Sequence, residues 1–150
     1  MSEHYPCVYR KDTGEIVQTG MFSCDDDFVD MNFAARINFY GGETHDVIDT
    51  AADPNTQYVA SLNGEPILTS RPILRVSVTK TTLLADGTDT IVLSGLPAPC
   101  EVVQDPGEPE EERITVQGGG FVFSAETPGK YQFRIERFPF LPLNLEFTAT

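Results

Sequence analysis

The stretch Leu84–Pro99, LADGTDTIVLSGLPAP, decides how the rest of the chain is read. It joins a polar turn, Ala85-Asp86-Gly87-Thr88-Asp89, to the strand-forming run Thr90-Ile91-Val92-Leu93. Gly95-Leu96-Pro97-Ala98-Pro99 stops that run, because proline has no N–H for a ladder and glycine punctuates. After it the chain repeats one pattern of short strand, turn and short strand, so the stretch marks the expected first hairpin of a C-terminal β domain. Before it the chain is more acidic and less regular.

From Ile73 onward the strand candidates are Leu74–Thr79, Thr90–Leu93, Glu101–Val103, Arg113–Val116, Phe121–Ser124, Tyr131–Arg137 and Leu143–Thr148. Seven strands in 78 residues is the spacing of a β-sandwich. Tyr131-Gln132-Phe133-Arg134-Ile135-Glu136 alternates strictly, which turns Tyr131, Phe133 and Ile135 to the core. The insert Gln104–Glu112 (QDPGEPEEE) reads as an exposed loop, with prolines and like charges that disfavour packing. Gly118-Gly119-Gly120 reads as another loop. It has no lysine and no following helix, so it does not fit a phosphate cradle.

Working back toward the start, Thr69-Ser70-Arg71-Pro72 breaks the pattern and sets the expected junction between residues 1–72 and 73–150. Within the first part, strand formers flank the turn Lys11-Asp12-Thr13-Gly14, and the pair Gln57–Ala60 and Pro66–Leu68 flanks Asn63-Gly64, a strong hairpin signal. Ser23–Asp27 (SCDDD) offers an N-cap and first-turn acids for a brief helix or turn through Phe28, Met31, Ala34 and Ala35. Arg36-Ile37-Asn38-Phe39-Tyr40 then alternates and ends at Gly41-Gly42, which predicts a strand. Thr44–Pro54 is turn-rich, with a short strand at Val47-Ile48. The fold class is therefore mainly β: a small N-terminal β module followed by a seven-stranded sandwich.

Composition narrows function. A net charge of −13 over 150 residues opposes nucleic-acid binding, which needs a clustered basic footprint. No apolar run approaches the ~20 residues of a membrane span, and no basic start precedes an apolar stretch, so neither membrane insertion nor a signal peptide is expected. Cys7, Cys24 and Cys100 are too scattered for a zinc site or a disulfide framework. Three separate thiols is the simplest expectation. A Cys7–Cys24 bridge is open to the chain under oxidising conditions, with the odd cysteine left to pair between subunits.

No residue set reaches a catalytic signature, and the expectation is a non-enzyme without metal or cofactor. Asp25-Asp26-Asp27 with Asp30 offers carboxylates to a hard cation, but the spacing is not that of an EF-hand and a solvated acidic turn explains it. His45 with Asp46 and Asp49 is a second weak cluster, more simply a polar surface. The other histidine, His4, falls in what reads as a flexible tail. No Gly-x-Ser-x-Gly elbow supplies a nucleophile, and no tryptophan offers a platform for a glycoside. Phe138-Pro139-Phe140-Leu141-Pro142-Leu143 reads as a turn or edge, for internal packing or for a partner.

With Ala85-Asp86-Gly87 and Thr127-Pro128-Gly129-Lys130-Tyr131 in view, the second half resembles a bacterial or phage immunoglobulin-like domain. The resemblance implies a tyrosine-corner bond from Tyr131 back to the preceding turn. The inter-sheet cysteine pair and core tryptophan of antibody domains are missing. The whole layout, with Tyr58, Gly64, Ile67, Arg71 and Pro72 followed by Leu96-Pro97-Ala98-Pro99-Cys100, is similar to small tailed-bacteriophage proteins encoded near tail-fibre genes. That likeness implies a virion structural or adaptor role beside tail, fibre or baseplate proteins, with self-association a further option. The competing expectation is a module that binds carbohydrate or a cell surface through its sandwich loops.

Overall fold

The computed structural model describes residues 1–150, the side chain of Leu62 excepted. The chain is mainly β and divides into two compact units, Met1–Arg71 and Pro72–Thr150.

The first unit opens with β1 (Ser2–His4), β2 (Pro6–Arg10), β3 (Ile16–Thr19) and β4 (Phe22–Cys24). β2 and β3 form the hairpin expected about Lys11–Gly14, with a bulge at Val8/Tyr9. β1 is not a flexible tail: it pairs antiparallel with β4, and His4 lies opposite Phe22. A 3-10 turn (Asp26–Phe28) leads into the helix α1 (Val29–Tyr40). Then come β5 (His45–Asp49) and the hairpin of β6 (Gln57–Leu62) with β7 (Glu65–Ser70). β5 joins the other side of β2, giving the antiparallel order β3-β2-β5. Asn63 and Gly64 both take positive φ, 53° and 81°, as the tightest hairpin turns require.

The expected strand at Arg36–Tyr40 is the end of α1 instead. Five residues are too short a run to separate a period of two from one of 3.6, and here Val29, Asn32, Phe33, Arg36, Ile37 and Tyr40 are the half-buried positions of one helical face, with Phe39 turned out. Phe33 sets its ring edge-on to Phe22 at 5.8 Å, and the Arg36 guanidinium lies over Phe22 at 5.2 Å. Gly41 closes the helix by donating its N–H to the Ile37 carbonyl, 2.9 Å away. The small core of this unit gathers Cys7, Tyr9, Ile16 and Val59, backed by Ile48, Ala52 and Leu68.

The second unit contains eight strands rather than seven: β8 (Ser77–Val78), β9 (Thr82–Leu83), β10 (Ile91–Leu96), β11 (Cys100–Gln104), β12 (Glu112–Val116), β13 (Gly119–Phe123), β14 (Gly129–Glu136) and β15 (Leu143–Ala149). They form one sheet of order β13-β10-β8 and another of order β12-β11-β14-β15-β9. Every pairing is antiparallel except β15 with β9. A first strand split between two sheets, with its second part parallel to the last strand, is an immunoglobulin-type sandwich order. The split also corrects the expectation of a hairpin at 85–89. That turn carries the chain from β9 in the larger sheet to β10 in the smaller one.

Asp86 and Asp89 fix this crossing. The Asp86 carboxylate accepts the N–H groups of Thr88 and Asp89 at 2.8 Å each, and these bonds hold its carboxyl below the usual range. Asp89 accepts the Leu84 N–H at 2.8 Å and pairs with Lys80. Between the sheets lie Ile91, Leu93, Phe123, Phe133, Ile135 and Phe147, all buried. Fully burying one such side chain stabilises the fold by about 1.5–3 kcal/mol. Phe133 packs at 5.0 Å from Phe123 and 5.5 Å from Phe147, a tilted cluster that takes the place of a core tryptophan.

At the sandwich corner, the Tyr131 hydroxyl donates to the Thr127 carbonyl at 2.7 Å, closing the expected tyrosine corner. Gly119 and Gly120 belong to β13 and are not a loop. The 105–111 segment is a built turn between β11 and β12, in which the Gly107 N–H donates to the Glu111 carboxylate at 2.7 Å. Phe140 and Leu143 pack against the sandwich core, so the Phe138–Leu143 segment contributes to internal packing.

Candidate functional site

Two side-chain clusters were open to the sequence, and the structure separates their members. His45, Asp46 and Asp49 all lie on β5, but alternate residues face opposite sides and four residues span about 13 Å. Each has its own neighbours. The Thr44 hydroxyl is 2.7 Å from His45 Nδ1, and the Tyr40 ring stacks beside that imidazole at 5.4 Å. Asp49 binds His4 Nδ1 at 2.7 Å and accepts the Tyr5 N–H at 2.6 Å. The His4 contact first, and the Tyr5 N–H with it, hold the Asp49 carboxyl below the usual range. Asp46 faces elsewhere.

The His4–Asp49 pair has the first two members of a triad but not the geometry of one. His4 Nε2, the atom that would receive a nucleophile's proton, is buried without a hydrogen-bond partner. The His4 ring centroid lies 5.4 Å from that of Phe22 and 6.3 Å from that of Phe33. The pair pins the first strand to the end of β5.

The acidic run is likewise dispersed. Asp25 approaches the terminal amine at 3.6 Å, Asp26 accepts the Ser2 hydroxyl at 2.8 Å, and all four carboxylates are exposed. Among the described residues, no group of three or more His, Cys, Asp or Glu side chains is placed to hold a metal ion. All three cysteines are free thiols. Cys7 and Cys24 sit on β2 and β4, strands of different sheets, so the bridge between them is not formed. Burial pushes the Cys7 thiol up to about 11 and raises that of Cys100 as well. Among the described residues, no helix is long and apolar enough to cross a membrane.

Two surface features of the first unit were not assembled by sequence reasoning. One is the outer face of α1 and its approach. Phe28, Met31, Ala35 and Phe39 follow one stripe at spacings of three and four residues. They are uncovered, with Phe28 52%, Met31 64% and Phe39 82% exposed. Asp27 stands one turn before Met31 beside the stripe, Asp30 is exposed in the first turn of α1, and α1 has no basic residue in its last turn. The sequence reading already placed Phe28, Met31 and Ala35 at helical spacing, and the strand reading of Arg36–Tyr40 left Phe39 off the stripe.

The other is an open cleft of about 560 Å³ where two hairpin turns meet. Lys11, Thr13 and Gly14 come from the first turn, Tyr58, Val59 and Ser61 from the second hairpin, and Tyr9 and Asp46 from paired strands. The Val59 N–H donates to the Gly14 carbonyl at 2.9 Å, stitching the hairpins together. Only glycine permits this approach. A Cβ on Gly14 would lie 1.9 Å from the Val59 carbonyl oxygen, and its φ is +79°. Tyr9 and Asp46 are direct cross-strand partners. Burial, and then the charge of Asp46, push the Tyr9 phenol above its usual range.

No protein-family profile matches this chain, and no curated protein matches it. Among solved structures, two glycosyl hydrolase family 2 members from Bacteroides cellulosilyticus align with 98% and 97% of the chain, each at 14% identity. The TM-scores are 0.34 and 0.32, and the chain spans 22% and 23% of those proteins' lengths. A likeness this weak carries no argument about what the chain does.

Proposed function

We propose that this protein is a non-enzymatic structural or adaptor component that works through protein–protein contacts, with the tail, fibre or baseplate region of a bacteriophage particle as its setting. The setting rests on the sequence resemblance described above. The single observation that carries the contact role is the uncovered stripe Phe28, Met31, Ala35 and Phe39 on α1. Three large apolar side chains aligned on one helix face lose hydration only when something covers them, and each fully covered side chain contributes about 1.5–3 kcal/mol. The flanking carboxylates select for a basic or neutral partner surface and against acidic bystanders.

The test is light scattering on the purified chain, alone and mixed with tail-fibre and baseplate proteins encoded beside its gene. The expected result is a stable self-complex or a stable complex with one of them, abolished by the double substitution Met31→Ser/Phe39→Ser. A monomer that binds none of these proteins, and is missing from purified particles, defeats the proposal. A complex that survives the double substitution moves the contact off α1.

A further inference from the structure

We propose that the cleft between the 11–14 and 61–66 turns is a binding site for a neutral saccharide. The inference does not depend on the adaptor role, and it places ligand binding on the first unit rather than on the sandwich loops.

The first observation is Tyr9. The residue is only 8% exposed and its ring packs in the core with Cys7, Ile16 and Val59, while its hydroxyl, which no described residue hydrogen-bonds, keeps contact with solvent. A phenol whose ring is fixed by packing and whose hydroxyl meets solvent is a hydrogen-bonding group held in place for a ligand. Here the residue lines an open cleft of about 560 Å³, within the ~300–1,000 Å³ of ligand sites. The partner that the chain does not supply can enter from that cleft.

The second observation is the charge arrangement, which selects the ligand class. Asp46 lies directly across the strand pair from Tyr9. One of its oxygens accepts the Val47 N–H at 2.8 Å, and no basic side chain pairs with it among the described residues. An unneutralised carboxylate there repels phosphates and carboxylates. A cation meets Lys11 on the same rim, while Asp12 is already engaged by Arg10 through two bonds of 3.0 and 3.2 Å. Opposed charges on one rim largely cancel, so neither sign of ion gains a net attraction there.

A neutral hydroxyl suits the pair, because one oxygen can donate to Asp46 while accepting from the Tyr9 phenol. The rim repeats that chemistry with the Thr13 and Ser61 hydroxyls, and Tyr58 adds an aromatic wall of the kind that carries the apolar face of a pyranose. Several hydroxyls around a compact ring is what a saccharide presents.

The experiment is a titration of the 15N-labelled full chain, followed by amide shifts. The probes are glucose, galactose, N-acetylglucosamine and their β-linked disaccharides, with n-butylammonium and acetate as charged controls. The expected outcome is saturable shifts at Thr13, Gly14, Val59 and Gly64 with at least one sugar, with a Kd on the order of 1 mM. Removing the hydroxyl by Tyr9→Phe should weaken that binding about tenfold, the cost of one hydrogen bond. Asp46→Asn, which keeps the shape and loses the charge, should weaken it in the same direction. Either variant serves if the other disturbs the spectrum of the first unit.

Absence of saturable shifts with every sugar overturns the proposal. So does sugar binding that both variants leave intact, or a charged control that saturates the same amides more tightly than any sugar. None of these results bears on the α1 face, which lies outside the cleft.

Discussion

Gly14 offers a sharp test of how the first unit is built, because three glycines of that unit differ only in surroundings and backbone angle. A methyl group on Gly14 would sit 1.9 Å from the Val59 carbonyl oxygen, a main-chain atom that cannot rotate away. Gly64 has a similar φ of +81° but nothing within 4 Å, while Gly20 has open space and no positive φ. Left-handed backbone costs an L-residue about 1–2 kcal/mol, and that is all Gly64→Ala should lose. Gly20→Ala should stay within about 0.5 kcal/mol of the parent. Gly14→Ala adds the forced separation of the hairpins and loss of the Val59–Gly14 hydrogen bond, about 1 kcal/mol by itself. We expect about 3–4 kcal/mol in total, of the size reserved for strain and broken networks. Urea unfolding followed at the amides of Val59 and Leu68 gives the three values on one scale. Equal losses for Gly14→Ala and Gly64→Ala would refute the close approach, and with it the cleft.

Three further outcomes follow from named contacts. Tyr131→Phe should cost about 1 kcal/mol for the lost bond to Thr127, and Tyr131→Ala about 2–4 kcal/mol because its ring, 5.0 Å from Phe123, is only partly buried; chemical denaturation measures both. The Asp49 carboxyl is lowered in the folded chain, so its contribution is present above the unfolded value near 4 and fades as pH falls through the folded one. Asp49→Asn should therefore lower stability at neutral pH by roughly 0.5–1 kcal/mol, discounted for the half-open site, and flatten the acid limb of a stability–pH profile. Under native conditions iodoacetamide should label half-buried Cys24 first, with Cys7 and Cys100 reacting only on unfolding; peptide mass mapping shows the order.

Much of the second unit could be read directly because its signals are local. The alternation at Tyr131, Phe133 and Ile135 puts Phe133 and Ile135 in the core at 1% and 0% exposure, and the Thr127–Tyr131 turn closes its corner bond. The two-residue strand Thr82–Leu83 escaped because its partner, β15, lies more than sixty residues away and no pattern of two residues encodes it. α1 was misread for a different reason. Its inward face includes Asn32 and Arg36, which bury their stems while staying polar, so helical periodicity in hydrophobicity fades just where the chain looked like a strand. The cleft was illegible because Tyr9, Asp46 and Tyr58 come together only through pairing of β2 with β5 and the Gly14–Val59 stitch. The sequence did single out the turns at Lys11–Gly14 and Asn63–Gly64, but not that they border one space.

Quantitative mass spectrometry of purified particles, made with the parent chain and with Met31→Ser/Phe39→Ser, tests the central claim most directly. The account predicts that the parent chain is present at a fixed copy number relative to the tail proteins, and that the double variant, still folded in solution, is missing from the particles. A parent chain absent from washed particles, or a double variant retained at the same copy number, would contradict it.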